Sequence, residues 1–111
     1  MLVNLGGSVS IEAKARIILK GILKRFIGYL GLVEATGEVD KGTLKKVKTG
    51  IDLNYKILLR NSGEGNKIIY ESQYKIIRSI YAILENYDRT KTENLNKLKK
   101  ELESKAKLLD I

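Results

Sequence analysis

Apolar residues recur at steps of three and four along most of this chain, the spacing that keeps one face of an α-helix turned toward a core. Ile11, Ala15, Ile18, Ile22, Phe26, Tyr29 and Val33 follow that rule in the first third. Ser10 stands where a side-chain oxygen can accept from the free amides of a first turn. Gly37 stands where a helix can end in the left-handed conformation. Together they predict a first helix running from Ser10 to near Gly37. Gly21, Gly28 and Gly31 fall inside it, and each costs up to about 1 kcal/mol relative to alanine. That cost predicts a packing reason, above all a close neighbour at Gly21.

A second helix is predicted to begin after Asp40 or Gly42, with Leu44, Val47, Ile51, Tyr55 and Leu58 on one face. Asn61 to Asn66 then reads as a loop, because two glycines and short polar side chains satisfy the backbone locally. A third helix carries Ile69, Gln73, Ile76, Ile80, Ile83 and Tyr87, and a second stripe of Ile77, Tyr81 and Leu84 widens its apolar face. That width predicts a central position. Ile68-Ile69-Tyr70 is rich enough in β-branched and aromatic residues for a strand, but the following period is helical. Thr90 and Glu93 have the spacing of a capping box and open a fourth helix with a narrow seam of Leu95, Leu98, Leu102, Ala106 and Leu109. Short connections between long helices favour antiparallel neighbours. The expected fold is therefore all-α, an antiparallel up-down four-helix bundle. It forms one domain over residues 1–111, with 1–9 as a flexible N-terminal segment.

Composition narrows what such a bundle can do. At 43% apolar and 31% charged, the chain matches ordinary globular proteins. Proline is absent, which suits long uninterrupted helices. Cysteine and histidine are absent too, which removes the usual zinc ligands, the commonest general base and the ordinary nucleophile–base pairs. The carboxylates are scattered, and Gly63-Glu64-Gly65 lacks the Lys-Ser/Thr pair of a phosphate loop. No enzyme, metal or cofactor is expected. Lys or Arg interrupts every apolar stretch, and no basic residue precedes the short apolar start. Neither a membrane span nor a secretory signal is expected, and the location expected is cytoplasmic.

The formal charge of +8 is uneven: residues 41–60 hold six basic side chains against one acidic. Lys41, Lys45, Lys46, Lys48, Lys56 and Arg60 could track a phosphate backbone without reading sequence, or could form a solvated helix face. The tyrosines invite the same weighing. Tyr29, Tyr55, Tyr74, Tyr81 and Tyr87 lie on or beside apolar stripes, which predicts buried rings with wet hydroxyls. Tyr70, near the glycine-rich loop, is the candidate for exposure.

Ser8-Val9-Ser10, Glu12 and Gly21 have the spacing that opens the FliS-type flagellin export chaperones, and Ile17-Ile18-Leu19-Lys20-Gly21-Ile22-Leu23 is similar to the apolar run around that family's glycine. The order downstream also resembles the family: a helix, a glycine-bearing loop at Gly63 to Gly65, a long tyrosine-containing helix and a Leu/Glu/Lys-rich last helix. The chain differs from the family pattern at Ile11, where a proline is usual, at Leu19-Lys20, where Tyr-Asp is usual, and in its basic balance. The resemblance implies a small helical bundle that keeps unassembled flagellin from polymerising.

Two function classes follow. One is a non-enzymatic chaperone or adaptor that takes a client's amphipathic helices into a groove, using Leu19, Leu23, Leu30, Ile77, Tyr81 and Leu84. The other is a basic accessory subunit that rides on nucleic-acid backbone within a replication, viral or defence complex. The partner is accordingly a protein client or larger complex, with nonspecific nucleic acid as the alternative, and the chain is expected to be a monomer or a homodimer paired through its fourth helix.

Overall fold

Ser10 does cap the first helix, its Oγ accepting from the amide of Ala13 at 3.0 Å. The helix, α1, runs over Ile11–Thr36 and ends at Gly37, whose φ of 72° is left-handed and whose N–H donates to the Val33 carbonyl at 2.7 Å. Asp40 opens the next helix by accepting from the amides of Gly42 and Thr43 at 3.0 and 3.3 Å. These bonds, those from Thr43 first, hold the Asp40 carboxyl below the usual carboxylate range. The second helix, α2, is Lys41–Asn61. This computed structural model describes residues 10–106, so the N-terminal segment 1–9 and Leu109 lie outside the described residues.

The predicted loop over Asn61 to Asn66 is shorter than expected. The third helix, α3, already begins at Glu64 and runs over Glu64–Glu85, with Gly63 as its extended N-cap. Glu64 sits favourably in the first turn, and the Asn66 side chain bonds across to Glu12 of α1. After α3 comes a 3-10 turn, Arg89–Lys91, and then α4, Thr92–Ala106. The predicted capping box is absent because Thr90 belongs to that turn. Its amide donates to Asp88 Oδ1 at 2.9 Å, and its hydroxyl bonds the same oxygen. The described residues thus form four α-helices and no strand, within 53 × 25 × 19 Å.

α1 packs on α2 and α4, and α3 packs on α2 and α4, which closes a ring. The most extensive contact is α1 with α2, so the wide apolar face of α3 does not make it central. The interior is filled from α1 by Ala15, Leu19, Leu23, Phe26, Leu30 and Val33, and from α2 by Ile51, Tyr55 and Leu58. α3 adds Tyr70, Ile77, Ile80, Tyr81 and Leu84, and α4 adds Leu95 and Leu102. Gln73 is buried among them, whereas Ile69, Ile76 and Ile83 are only half-buried. On α1 the core-facing arc lies about 40° round the helix from the predicted stripe, at about 100° per residue. Leu19, Leu23 and Leu30 therefore turn inward, and Ile11 and Ile18 turn out to solvent.

The glycines correct a second expectation. A Cβ at Gly21, Gly28 or Gly31 would meet nothing within 4 Å, so their cost is not recovered by packing among the described residues. The close approach is at Gly50 instead, where a Cβ would lie 3.1 Å from Ile22 Cδ1. Near the α1–α2 connection, Tyr29 donates its hydroxyl to the Asp40 carbonyl at 3.1 Å.

Candidate interaction surfaces

The six positions predicted to line a client groove, Leu19, Leu23, Leu30, Ile77, Tyr81 and Leu84, are all buried in the core. Packing inside the ring of helices consumes these positions of α1 and α3. Across the interior, Phe26 and Tyr81 meet edge to face with centroids 5.9 Å apart. These residues therefore hold the bundle together, and at no more than 5% exposure they are not free to grip a client helix.

The tyrosine hydroxyls, expected to be wet, are bonded to other protein groups, Tyr55 in the interior and the rest at its part-buried edge. Tyr55 donates to Gln73 Oε1 at 3.1 Å, and its ring stacks on Tyr74 with centroids 5.1 Å apart. Tyr74 and Tyr81 both donate to Asp52 Oδ1, at 2.9 and 3.2 Å. Tyr70, the candidate for exposure, is only 2% exposed. Its hydroxyl donates to Glu12 Oε2 at 2.6 Å, and Asn66 Nδ2 donates to the same oxygen at 3.0 Å. Glu12 thereby ties the start of α1 to the start of α3, and Asp52 ties α2 to α3. Burial, before any other cause, pushes the Tyr29, Tyr55, Tyr74 and Tyr81 hydroxyls up and takes Tyr70 to about 12. Phenols raised in this way keep their protons near neutrality, so Tyr70, Tyr74 and Tyr81 act as fixed donors that clamp onto Glu12 and Asp52. Among the described residues no group of three His, Cys, Asp or Glu side chains could hold a metal ion.

Outside the Asp52 clamp lies a cleft of about 440 Å³ lined by Lys48, Asp52, Tyr74, Arg78, Tyr81 and Glu85. Lys48 Nζ sits 5.1 Å from the Tyr81 ring centroid, and the Arg78 guanidinium 6.0 Å from that of Tyr74. Of the six basic positions singled out on α2, Lys41, Lys45, Lys48 and Lys56 share an arc of about 80°; Arg60 lies about 40° beyond it and Lys46 about 80° beyond it. All are exposed except Lys48, which is half-buried. Exposed Lys75 and Arg78 of α3 extend the basic character.

The most unusual surface is the outer face of α1. Ile11, Ile18, Arg25 and Leu32 lie seven residues apart and form one exposed line; Lys14, Gly21, Gly28 and Ala35 form a second, also exposed, with the same spacing. Exposed Ile17 and Lys24, with half-buried Gly31, form a third. Ile17, Ile18 and Leu32 are 64%, 54% and 59% exposed. The signal was present in the sequence as this interval of seven, but Ile11 and Ile18 also fit the three-four stripe assigned to the core.

The fold and these surfaces define the class: a small, basic, all-helical protein with one apolar, glycine-lined helix face and one lysine-rich face. No described helix is long and apolar enough to cross a membrane. No family model, curated protein or solved structure matches the chain.

Proposed function

We propose that the chain is a non-enzymatic, FliS-like protein-binding chaperone or adaptor of the cytoplasm. It holds an amphipathic helix of its client against the outside of an antiparallel up-down four-helix bundle. The observation that carries this reading is the outer face of α1, where Ile17, Ile18 and Leu32 are more than half exposed beside a line of glycines. Exposed large apolar side chains gathered on one helix face mark an interaction site. Contacts between neighbouring helices support the antiparallel arrangement: Ile22 approaches Gly50 while Tyr29 reaches Asp40, and Tyr55 meets Gln73 while Lys48 meets Tyr81. With the interior positions Leu19, Leu23, Leu30, Ile77, Tyr81 and Leu84 buried, the client helix lies along the outside of α1 in a helix-in-groove mode.

Co-expression with the flagellin of the source organism tests the reading. The expected result is a complex that persists through size exclusion, with amide protection gained on the bundle surface. A flagellin that elutes alone would remove the FliS-like client.

A second reading, binding of nucleic-acid backbone, is favoured by the common arc of Lys41, Lys45, Lys48 and Lys56. If these four side chains contact phosphates, affinity for random-sequence duplex should fall about a hundredfold between roughly 50 and 200 mM salt, and Lys45→Glu/Lys48→Glu should flatten that slope. Absence of binding at the lower salt would dispose of it.

A further inference from the structure

We infer that the outer face of α1 receives an acidic amphipathic helix from another protein, laid along Gly21, Gly28 and Ala35 with its carboxylates meeting Lys14, Lys24 and Arg25. This rests on the protein-binding reading above and adds the partner's chemistry and register.

Three observations converge on that occupant. The first is the period. An interval of seven is the repeat with which two helices wind around each other, and here exposed Ile11, Ile18 and Leu32, with Gly21, Gly28 and Ala35 beside them, keep it on a face that no other described helix covers. The second is shape. Gly21 and Gly28 have open space where a side chain would be, and they are flanked by exposed Ile17 on one side and Ile18 and Leu32 on the other. A backbone trough flanked by larger side chains fits the ridge of a closely approaching helix. In the free protein the same glycines only weaken α1.

The third observation is charge. Every charged side chain in the three outward lines is basic. The two acids of α1 are engaged elsewhere, Glu12 by Tyr70 and Asn66 and Glu34 by Lys99 at 2.6 Å. Complementary charge across an interface selects the partner and suppresses wrong ones. A second copy of this chain, paired about the glycines in either direction, would set Lys24 and Arg25 against their own counterparts. An anionic membrane would satisfy the cations but gain nothing from a glycine trough.

The test uses the full chain and three probes. Two are fluorescent four-heptad peptides with the same leucine-alanine seam, one flanked by glutamate and the other by lysine. The third is vesicles of phosphatidylglycerol mixed with phosphatidylcholine. Anisotropy should show the glutamate peptide binding at least about tenfold more tightly than the lysine peptide, with Lys24→Glu/Arg25→Glu reversing the preference. Gly21→Leu/Gly28→Leu should weaken the glutamate peptide by at least about tenfold while leaving helicity by circular dichroism equal or higher, because leucine is the better helix former. Equal binding of both peptides, indifference to the glycine substitutions, or binding of the vesicles in preference to the peptides would overturn the assignment. A flagellin complex that leaves α1 unprotected from amide exchange would overturn it too, while sparing the protein-binding reading. Failure of both peptides and of flagellin would remove both.

Discussion

Tyr55→Ala is expected to destabilise the protein by about 3–5 kcal/mol, the usual range for deleting a large aromatic side chain from a core. Tyr55 is fully buried, its ring stacks on Tyr74, and its hydroxyl donates to the buried Gln73. Alanine would remove the packing and the donor together and leave a cavity between α2 and α3. Domains of this size are stable by only about 5–15 kcal/mol, so the loss is a large share of the total. Thermal unfolding followed by circular dichroism should show the midpoint falling by at least about 12 °C. Tyr55→Phe separates the two contributions. It keeps the ring and removes the hydroxyl, and should cost about 1 kcal/mol, the net worth of an ordinary hydrogen bond. If alanine and phenylalanine cost the same, the ring is not packed as described.

Alkaline pH should destabilise the protein steeply above about 10. Burial raises the Tyr55 and Tyr81 hydroxyls above their ordinary value of 10.0 and takes Tyr70 to about 12. A raised folded-state value means that the unfolded chain releases its proton first. The stability these hydroxyls contribute is therefore fully present below about pH 10 and is lost as pH climbs through the folded values. Tyr55 and Tyr81, both buried, should each remove about 1.4 kcal/mol per pH unit within that window. The chain has no histidine, so the side-chain titration that usually bends stability between pH 5 and 8 is missing. Urea midpoints measured from pH 6 to 12 should run nearly level and then drop steeply above 10. Tyr81→Phe should make that drop shallower. A level line through pH 11 in the parent would mean that these hydroxyls face water.

The two effects have a common origin in how α3 is tied down. Its tyrosines are anchored at three points, to Glu12 on α1 and to Asp52 and Tyr55 on α2. None of these pairings is local: Tyr70 lies 58 positions from Glu12, and Tyr81 lies 29 from Asp52. Periodicity places each residue on a face of its own helix but does not say which other helix that face will meet.

That distinction divides what the sequence alone determined from what the tertiary structure decided. The helix boundaries at Ser10, Gly37 and Asp40 were legible because caps act within three or four residues, through the side chain's own reach to nearby amides. The number of helices and the all-α class were legible from the three-four spacing of apolar residues. The capping box at Thr90 failed because Asp88, two residues earlier, competed for the same amide and hydroxyl. Which of α1's two apolar stripes faces inward was not legible, since both satisfy the same period and differ by only about 40° of rotation. Only packing against α2, α3 and α4 could choose Leu19, Leu23 and Leu30 for the interior and leave Ile11, Ile18 and Leu32 outside with the glycines. The candidate site is what remained after that choice: local rules make a helix, but a face becomes a surface only when the other helices have taken the opposite one.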